Sequence, residues 1–102
     1  MSDQFDIAAL DDVIHGRLRL GVMAFLTGSG TADFNTLKAK LQASDGNLSV
    51  QLRKLEEVGY VAISKTFVGR KPLTRVALTD KGRDAFLAYL DELEKLLPKH
   101  DG

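Results

Sequence analysis

The stretch Ser44-Asp-Gly-Asn-Leu-Ser-Val-Gln-Leu-Arg-Lys-Leu-Glu-Glu-Val-Gly-Tyr-Val61, with the two short runs after it up to Thr79, decides the fold. Ser44 has the side chain of a helix N-cap, and Asp45 puts negative charge into the first turn, where the helix dipole favours it. Leu48, Leu52, Leu55 and Val58 recur at intervals of four, three and three, which gathers them on one buried face. Gly59 then stands where a helix stop needs a residue that tolerates the left-handed conformation.

The opposite face of this helix carries Gly46, Ser49, Val50, Arg53 and Glu57, flanked by Asn47 and Lys54. Small and hydrogen-bonding side chains near the start, with cations one turn later, suit a helix that enters a DNA major groove. Val50 is placed to meet a thymine methyl. By itself such a face reads first as an ordinary solvated surface with one stray valine, because motif-free faces of this kind are common. The hairpin after the helix changes that balance. Tyr60–Phe67 is short, β-branched and aromatic and reads as a strand, with Leu73–Leu78 as its antiparallel partner. The connection Val68-Gly-Arg-Lys-Pro72 presents Arg70 and Lys71 at a hairpin tip, suited to phosphates or to a narrow minor groove. As a plain surface turn, the same charges would only keep the sheet edge soluble.

The order of parts, with Leu52, Lys54, Leu55, Glu56, Gly59, Tyr60 and Val61 at the helix exit, Gly69 and Arg70 in the turn, and Thr74, Leu78, Thr79 and Gly82 leading into a last helix, resembles a winged helix-turn-helix repressor. It is similar to the MarR and ArsR families, especially their short single-domain members, over roughly residues 14 to 90. The resemblance implies an α+β, mainly α fold: a three-helix core, a two-stranded β wing and a C-terminal dimerisation helix. It also implies a dimeric transcription regulator that reads DNA with the second helix of the motif and steadies itself with the wing.

The bulk properties agree with one globular domain over residues 1–102: 44% of residues are hydrophobic, 27% are charged, and there are two prolines. No cysteine is present, which excludes disulfides, thiolate metal sites and thiol redox sensing within this chain. No apolar run is long enough to span a bilayer and no secretory pattern opens the sequence, so a cytoplasmic location is expected. The formal net charge is zero, but it is unevenly spread. Residues 34–84 hold ten Lys and Arg against five Asp and Glu, while the remainder holds four against nine. A basic middle between acidic ends fits one face for phosphates and another for something else.

Along the chain, residues 1–10 are amphipathic, with Phe5, Ile7 and Leu10 apolar, and are expected to form a small lead-in helix against the last helix. A stronger helix is expected from Asp12 to the break at Gly28-Ser-Gly, with Arg17 and Arg19 in surface salt bridges and His15 structural rather than a metal ligand. Gly28–Thr31 lacks the Lys-Ser/Thr of a phosphate loop and reads as a flexible link. The next helix starts at Asp33 as N-cap and turns Phe34, Leu37 and Leu41 inward; Gln42 and Ala43 make the turn into the Ser44 helix.

Thr79-Asp80 caps the last helix, expected to run to Leu97 before Pro98. Phe86, Leu90, Leu93 and Leu97 form a seam, widened by Leu87, Tyr89 and Leu96, which exceeds what so small a domain hides within itself. The surplus predicts a two-fold homodimer, with residues 1–12 and 79–97 at the interface and Phe5, Leu10, Phe86, Tyr89, Leu90, Leu93, Leu96 and Leu97 in contact. Two reading helices about 34 Å apart would then require a near-palindromic operator in double-stranded DNA.

Each polar residue of this face has an expected role. Asn47, Ser49, Val50 and Arg53 face base edges, Lys38, Lys54, Lys65 and Lys71 hold phosphates, and Arg70 probes the minor groove. A repressor is expected rather than an activator. A winged helix used only for protein contact is the competing reading. The residue pattern offers no nucleophile with its base and no cofactor loop, so neither an enzyme nor a cofactor is expected. No residue nominates a small-molecule effector; in a chain this short one would sit at the dimer seam, or between the seam and the wing.

Overall fold

The computed structural model describes residues 7–97. Its elements run, after a 3-10 turn at Ile7–Ala9, α1 (Arg17–Ser29), β1 (Thr31–Asp33), α2 (Phe34–Leu41), α3 (Asp45–Glu57), β2 (Val61–Val68), β3 (Lys71–Leu78) and α4 (Asp80–Lys95). The strands form one antiparallel sheet in the order β1-β3-β2. It is a mainly helical α+β winged helix.

Local chemistry sets most boundaries. The Asp33 carboxylate accepts from Thr36 N at 2.7 Å and starts α2; the Ser44 hydroxyl accepts from Asn47 N at 3.2 Å and starts α3. Gly59, at φ +82°, ends α3: its N–H donates to Glu56 O and that of Tyr60 to Leu55 O, the paired closure of a Schellman stop. Gln42 closes α2 the same way at φ +53°, with Gln42 N to Ala39 O and Ala43 N to Lys38 O. The first apolar stripe behaves as its spacing requires: Leu48, Leu52 and Leu55 are buried, with Val58 half-buried at the end. Around them Ile14, Val22, Met23, Leu26, Leu37 and Val76 are fully buried, a core drawn from every layer.

The junction between α3, the wing and α4 is the tightest place in the fold. Thr79 Oγ1 accepts from Gly82 N at 2.9 Å, capping α4, and donates to Gly59 O at 2.6 Å, with Tyr60 O at 3.1 Å. Thr79 N also donates to Tyr60 O. Gly82 has to be a glycine here, because a Cβ on it would lie 2.1 Å from Tyr60 O.

Several expectations need correction. The link after α1 is no loose segment: Thr31–Asp33 pairs with Arg75–Ala77 of β3 and closes the base of the wing. The helix expected from Asp12 starts at Arg17, because the Asp11 carboxylate accepts from Val13 N and Ile14 N and holds a turn there instead. Of the expected lead-in helix over residues 1–10, the described residues hold a 3-10 turn at Ile7–Ala9; the rest of that expectation, Phe5 included, lies outside the described residues. The helix expected to reach Leu97 stops at Lys95, with Leu96 as its C-cap. Leu10, Phe86 and Tyr89, assigned to a subunit seam, are 5%, 5% and 3% exposed within the single chain. Phe86 and Tyr89 stack at 6.4 Å, and the Tyr89 hydroxyl is 2.7 Å from His15 Nδ1, so the segment before α1 covers them.

Gly82→Ala and Gly46→Ala separate these effects. The first forces a Cβ onto the Tyr60 carbonyl and should lower unfolding free energy by at least about 1–3 kcal/mol. The second adds a Cβ with nothing within 4 Å, in a helix, and should raise it by about 0.5–1 kcal/mol. Denaturant melts of the two variants beside wild type read both signs.

Candidate nucleic-acid interface

Chain alternation on the hairpin decides what faces α3. Register pairs Val61 with Leu78, Ile63 with Val76, Lys65 with Thr74 and Phe67 with Pro72, so these residues share one side of the sheet. That side and α3 enclose an open cleft of about 570 Å³, lined by Ser49, Arg53, Lys65 and Thr74 over a floor that includes Phe34, Leu52 and Ile63. Asp45 and Glu56 also border it. Ser49, Arg53 and Lys65, expected from separate elements, are therefore brought together.

The wing tip is tighter than the sequence suggested. Val68 pairs with Lys71, which leaves Gly69-Arg70 as a two-residue turn with Gly69 at φ +65°. Arg70 alone occupies the apex beside that glycine, while Lys71 and Pro72 belong to β3. Phe67 and Val68 are 69% and 65% exposed near the apex. Nothing in the sequence pattern gave them a role; an aromatic strand residue looks like core until its register places it beyond the helices.

The other residues expected at the interface take different positions. Asn47, Val50 and Lys54 are exposed on α3, and Val50 is the large apolar residue there that no neighbour covers. Arg53, Lys54, Lys65, Arg70 and Lys71 are all exposed, and none of these five side chains makes an ion pair or hydrogen bond within the described residues. Lys38 differs: its Nζ lies 2.6 Å from Asp45 Oδ1, linking α2 to the start of α3. A phosphate would have to compete with that carboxylate, although an exposed pair of this kind contributes only about 0–1 kcal/mol. Arg19, expected in a surface salt bridge, instead donates to Val13 O and to Gln51 Oε1.

Behind this face, the Tyr60 hydroxyl donates to Asp11 Oδ2 at 2.5 Å, and Lys81 Nζ sits 6.0 Å from the Tyr60 ring centroid. Burial, then the hydrogen bond and negative charge of Asp11, push the Tyr60 phenol from 10.0 up to about 12.

A helix-turn-helix whose second helix shares an open cationic face with a two-stranded hairpin defines the winged helix-turn-helix class of DNA-binding domain. The winged helix DNA-binding domain family matches residues 18–97, and the chain belongs to that family. It is 38% identical over 84 residues to an uncharacterized protein of Methanocaldococcus jannaschii, spanning 82% of this chain and 91% of that one. The transcriptional regulator homologue protein from Pyrococcus horikoshii superposes with a TM-score of 0.76 at 33% identity, over 80% of this chain and 81% of that one. Overoxidized AbfR bound to DNA shares the fold at a TM-score of 0.69 and 24% identity, over 78% of this chain and 57% of that one. No helix of the described residues is long and apolar enough to cross a membrane.

The Tyr60 contact has a measurable consequence. A phenol whose pKa is raised on folding adds stability that is whole below pH 10.0 and is lost as the pH climbs towards about 12. In an alkaline titration followed by near-ultraviolet absorbance, one of the two tyrosines should ionise near pH 12. Tyr60→Phe should delete that late step, and Asp11→Asn should move it down.

Proposed function

We propose that this chain is a homodimeric, sequence-specific transcriptional repressor that places α3 in the major groove and the β2–β3 wing on the adjacent backbone and minor groove of double-stranded DNA. The observation that carries the reading is the set of unpaired cations, Arg53, Lys54, Lys65, Arg70 and Lys71, spread along α3 and the wing of one small domain. Exposed Arg17, Lys40, Arg75 and Arg83 also pair with nothing among the described residues, so it is position that sets these five apart: they follow one another along α3 and the wing beside exposed Asn47, Ser49 and Val50, which suits an anionic partner with a groove. In this role Arg53 addresses a guanine, and Asn47, Ser49 and Val50 meet neighbouring base edges. Lys38, Lys54, Lys65 and Lys71 hold phosphates, and Arg70 enters the minor groove. The likeness to a transcriptional regulator homologue and to a DNA-bound AbfR supports the same assignment.

The dimer rests on what α4 leaves uncovered. Leu87, Leu90 and Leu97, spaced by three and seven residues, are 53%, 42% and 58% exposed, with Leu93 and Leu96 half-buried beside them. With Ile7 at 63% exposure they form the seam, in place of the wider set that included Leu10, Phe86 and Tyr89.

Gel shifts against DNA from the region upstream of the protein's own coding sequence test the reading. With four lysines per copy on phosphates, the logarithm of the binding constant should fall against log salt with a slope of about −4 for one copy and about −7 for two. Arg53→Ala should cost about 1–3 kcal/mol on the preferred site and much less on random DNA, whereas Lys71→Ala should weaken both alike. Binding with no salt dependence would reject the reading. Leu87→Glu with Leu90→Glu should give a monomer by light scattering and return the salt slope to the single-copy value; a wild type that is already monomeric would reject the dimer.

A further inference from the structure

Asn47, assigned above to a base edge, ends a polar chain whose other two members, Arg19 and Gln51, have no role so far. Arg19, half-buried on α1, donates through Nε to Val13 O and through Nη1 to Gln51 Oε1. Gln51 Nε2 in turn donates to Asn47 Oδ1 at 3.2 Å. Arg19, Gln51 and Asn47 line one crevice of about 330 Å³ between the start of α1 and the turn into α3. The guanidinium is closely seated: a Cβ on Gly16 would lie 2.5 Å from Arg19 Nη2.

The direction of this chain is forced by chemistry. A guanidinium has only donors, so the group Gln51 turns towards it must be its carbonyl oxygen. The Gln51 amino group is then the end left for Asn47, and it can only donate, so Asn47 answers with its own oxygen. The Asn47 Nδ2 hydrogens remain without a partner on an exposed residue of the first turn of α3. An asparagine free to rotate offers a donor and an acceptor equally; this one has a fixed polarity.

We propose that Arg19 and Gln51 are positioning residues that hold Asn47 with its amino group outward, so that Asn47 selects a keto-bearing base, guanine or thymine, over an amino-bearing one. Guanine offers two adjacent acceptors, N7 and O6, and thymine offers O4; cytosine N4 only donates, and adenine sets its N6 donor beside N7, so the two hydrogens of the outward amino group are met fully only by a keto-bearing base. The inference rests on the reading that α3 enters the major groove, and it adds which chemical class of base one position prefers and what sets that preference.

Gln51→Glu tests it, because a carboxylate still accepts from Arg19 but can no longer donate to Asn47. Asn47 must then rotate, give its amino group to the new carboxylate and turn Oδ1 outward. Selection from a random DNA pool should show, for wild type, a position where guanine or thymine is preferred. In Gln51→Glu that one position should invert to adenine or cytosine by roughly tenfold, the scale of one good base contact. The added negative charge should weaken every sequence by a common factor. Gln51→Leu, which frees Asn47, should lose discrimination at the same position and keep it elsewhere. Uniform weakening with an unchanged base profile overturns the inference while leaving DNA reading intact.

If wild type selects no sequence at all, the major-groove reading falls, and the preference for a base falls with it. The amide polarity is still read without DNA. In nitrogen-labelled free protein, the Asn47 side-chain amide signals should move downfield in Gln51→Glu as they become donors to a carboxylate. Signals that stay in place overturn the orientation argument on their own.

Discussion

Everything that aims the cationic face depends on the backbone contact between Gly82 and the Tyr60 carbonyl, locked by the Thr79 hydroxyl. One oxygen atom, Thr79 Oγ1, starts α4 by accepting from Gly82 N and closes the exit of α3 by donating to Gly59 O. The helix that carries Arg53, the strand that carries Lys65 and the helix that carries the exposed leucines therefore meet within a few residues. Each of these partners is backbone, so the angle between α3 and the wing is not left to adjustable side-chain packing. The missing Cβ of Gly82 is what permits the approach.

A second set of contacts fixes the opposite side of the domain. Asp11 accepts from the backbone of Val13 and Ile14 with one oxygen and from Tyr60 with the other. His15 meets Tyr89, and Arg19 reaches Val13 and Gln51. The segment before α1 thus reaches the wing base and α4, and Arg19 of α1 ties it to α3. Its polar groups are satisfied within the chain, and none of the described buried side-chain polar atoms lacks a partner.

What could be read from the sequence was whatever short-range chemistry controls: the caps at Asp33, Ser44 and Thr79, the stop at Gly59, the leucine stripe and the hairpin. What could not be read was set by partners distant in the chain. Three residues, Thr31–Asp33, carry too little strand pattern to compete with the glycines before them, and become a strand only because β3 lies alongside. Phe86 and Tyr89 look like spare apolar surface until Leu10 and Ile14, from the segment before α1, are seen in one core with them. The cationic residues were visible as a group by charge. Gln51 was not, because a neutral amide takes its importance from Arg19, thirty-two residues away. The one signal available was the spacing of four between Asn47 and Gln51, which puts them on one helix face.

The two ends of α4 carry different tasks, and that links them. Its first turn is bound into the junction with α3 and the wing, and its exposed leucines lie from Leu87 onward. At about 1.5 Å per residue, its sixteen residues make a rod of roughly 24 Å. In the proposed dimer the rod's far half sets where the second copy sits, and its near end sets where α3 and the wing point. The spacing between the two reading helices is then a property of one stiff element and one backbone contact, with no flexible hinge between. A small rotation of the subunits about the seam would move both α3 helices together, by an amount that grows with distance from the axis. That geometry couples operator spacing to the packing of Leu87, Leu90 and Leu97. It also makes the seam the place where any ligand able to wedge the subunits apart would act on DNA binding without touching the DNA-facing surface.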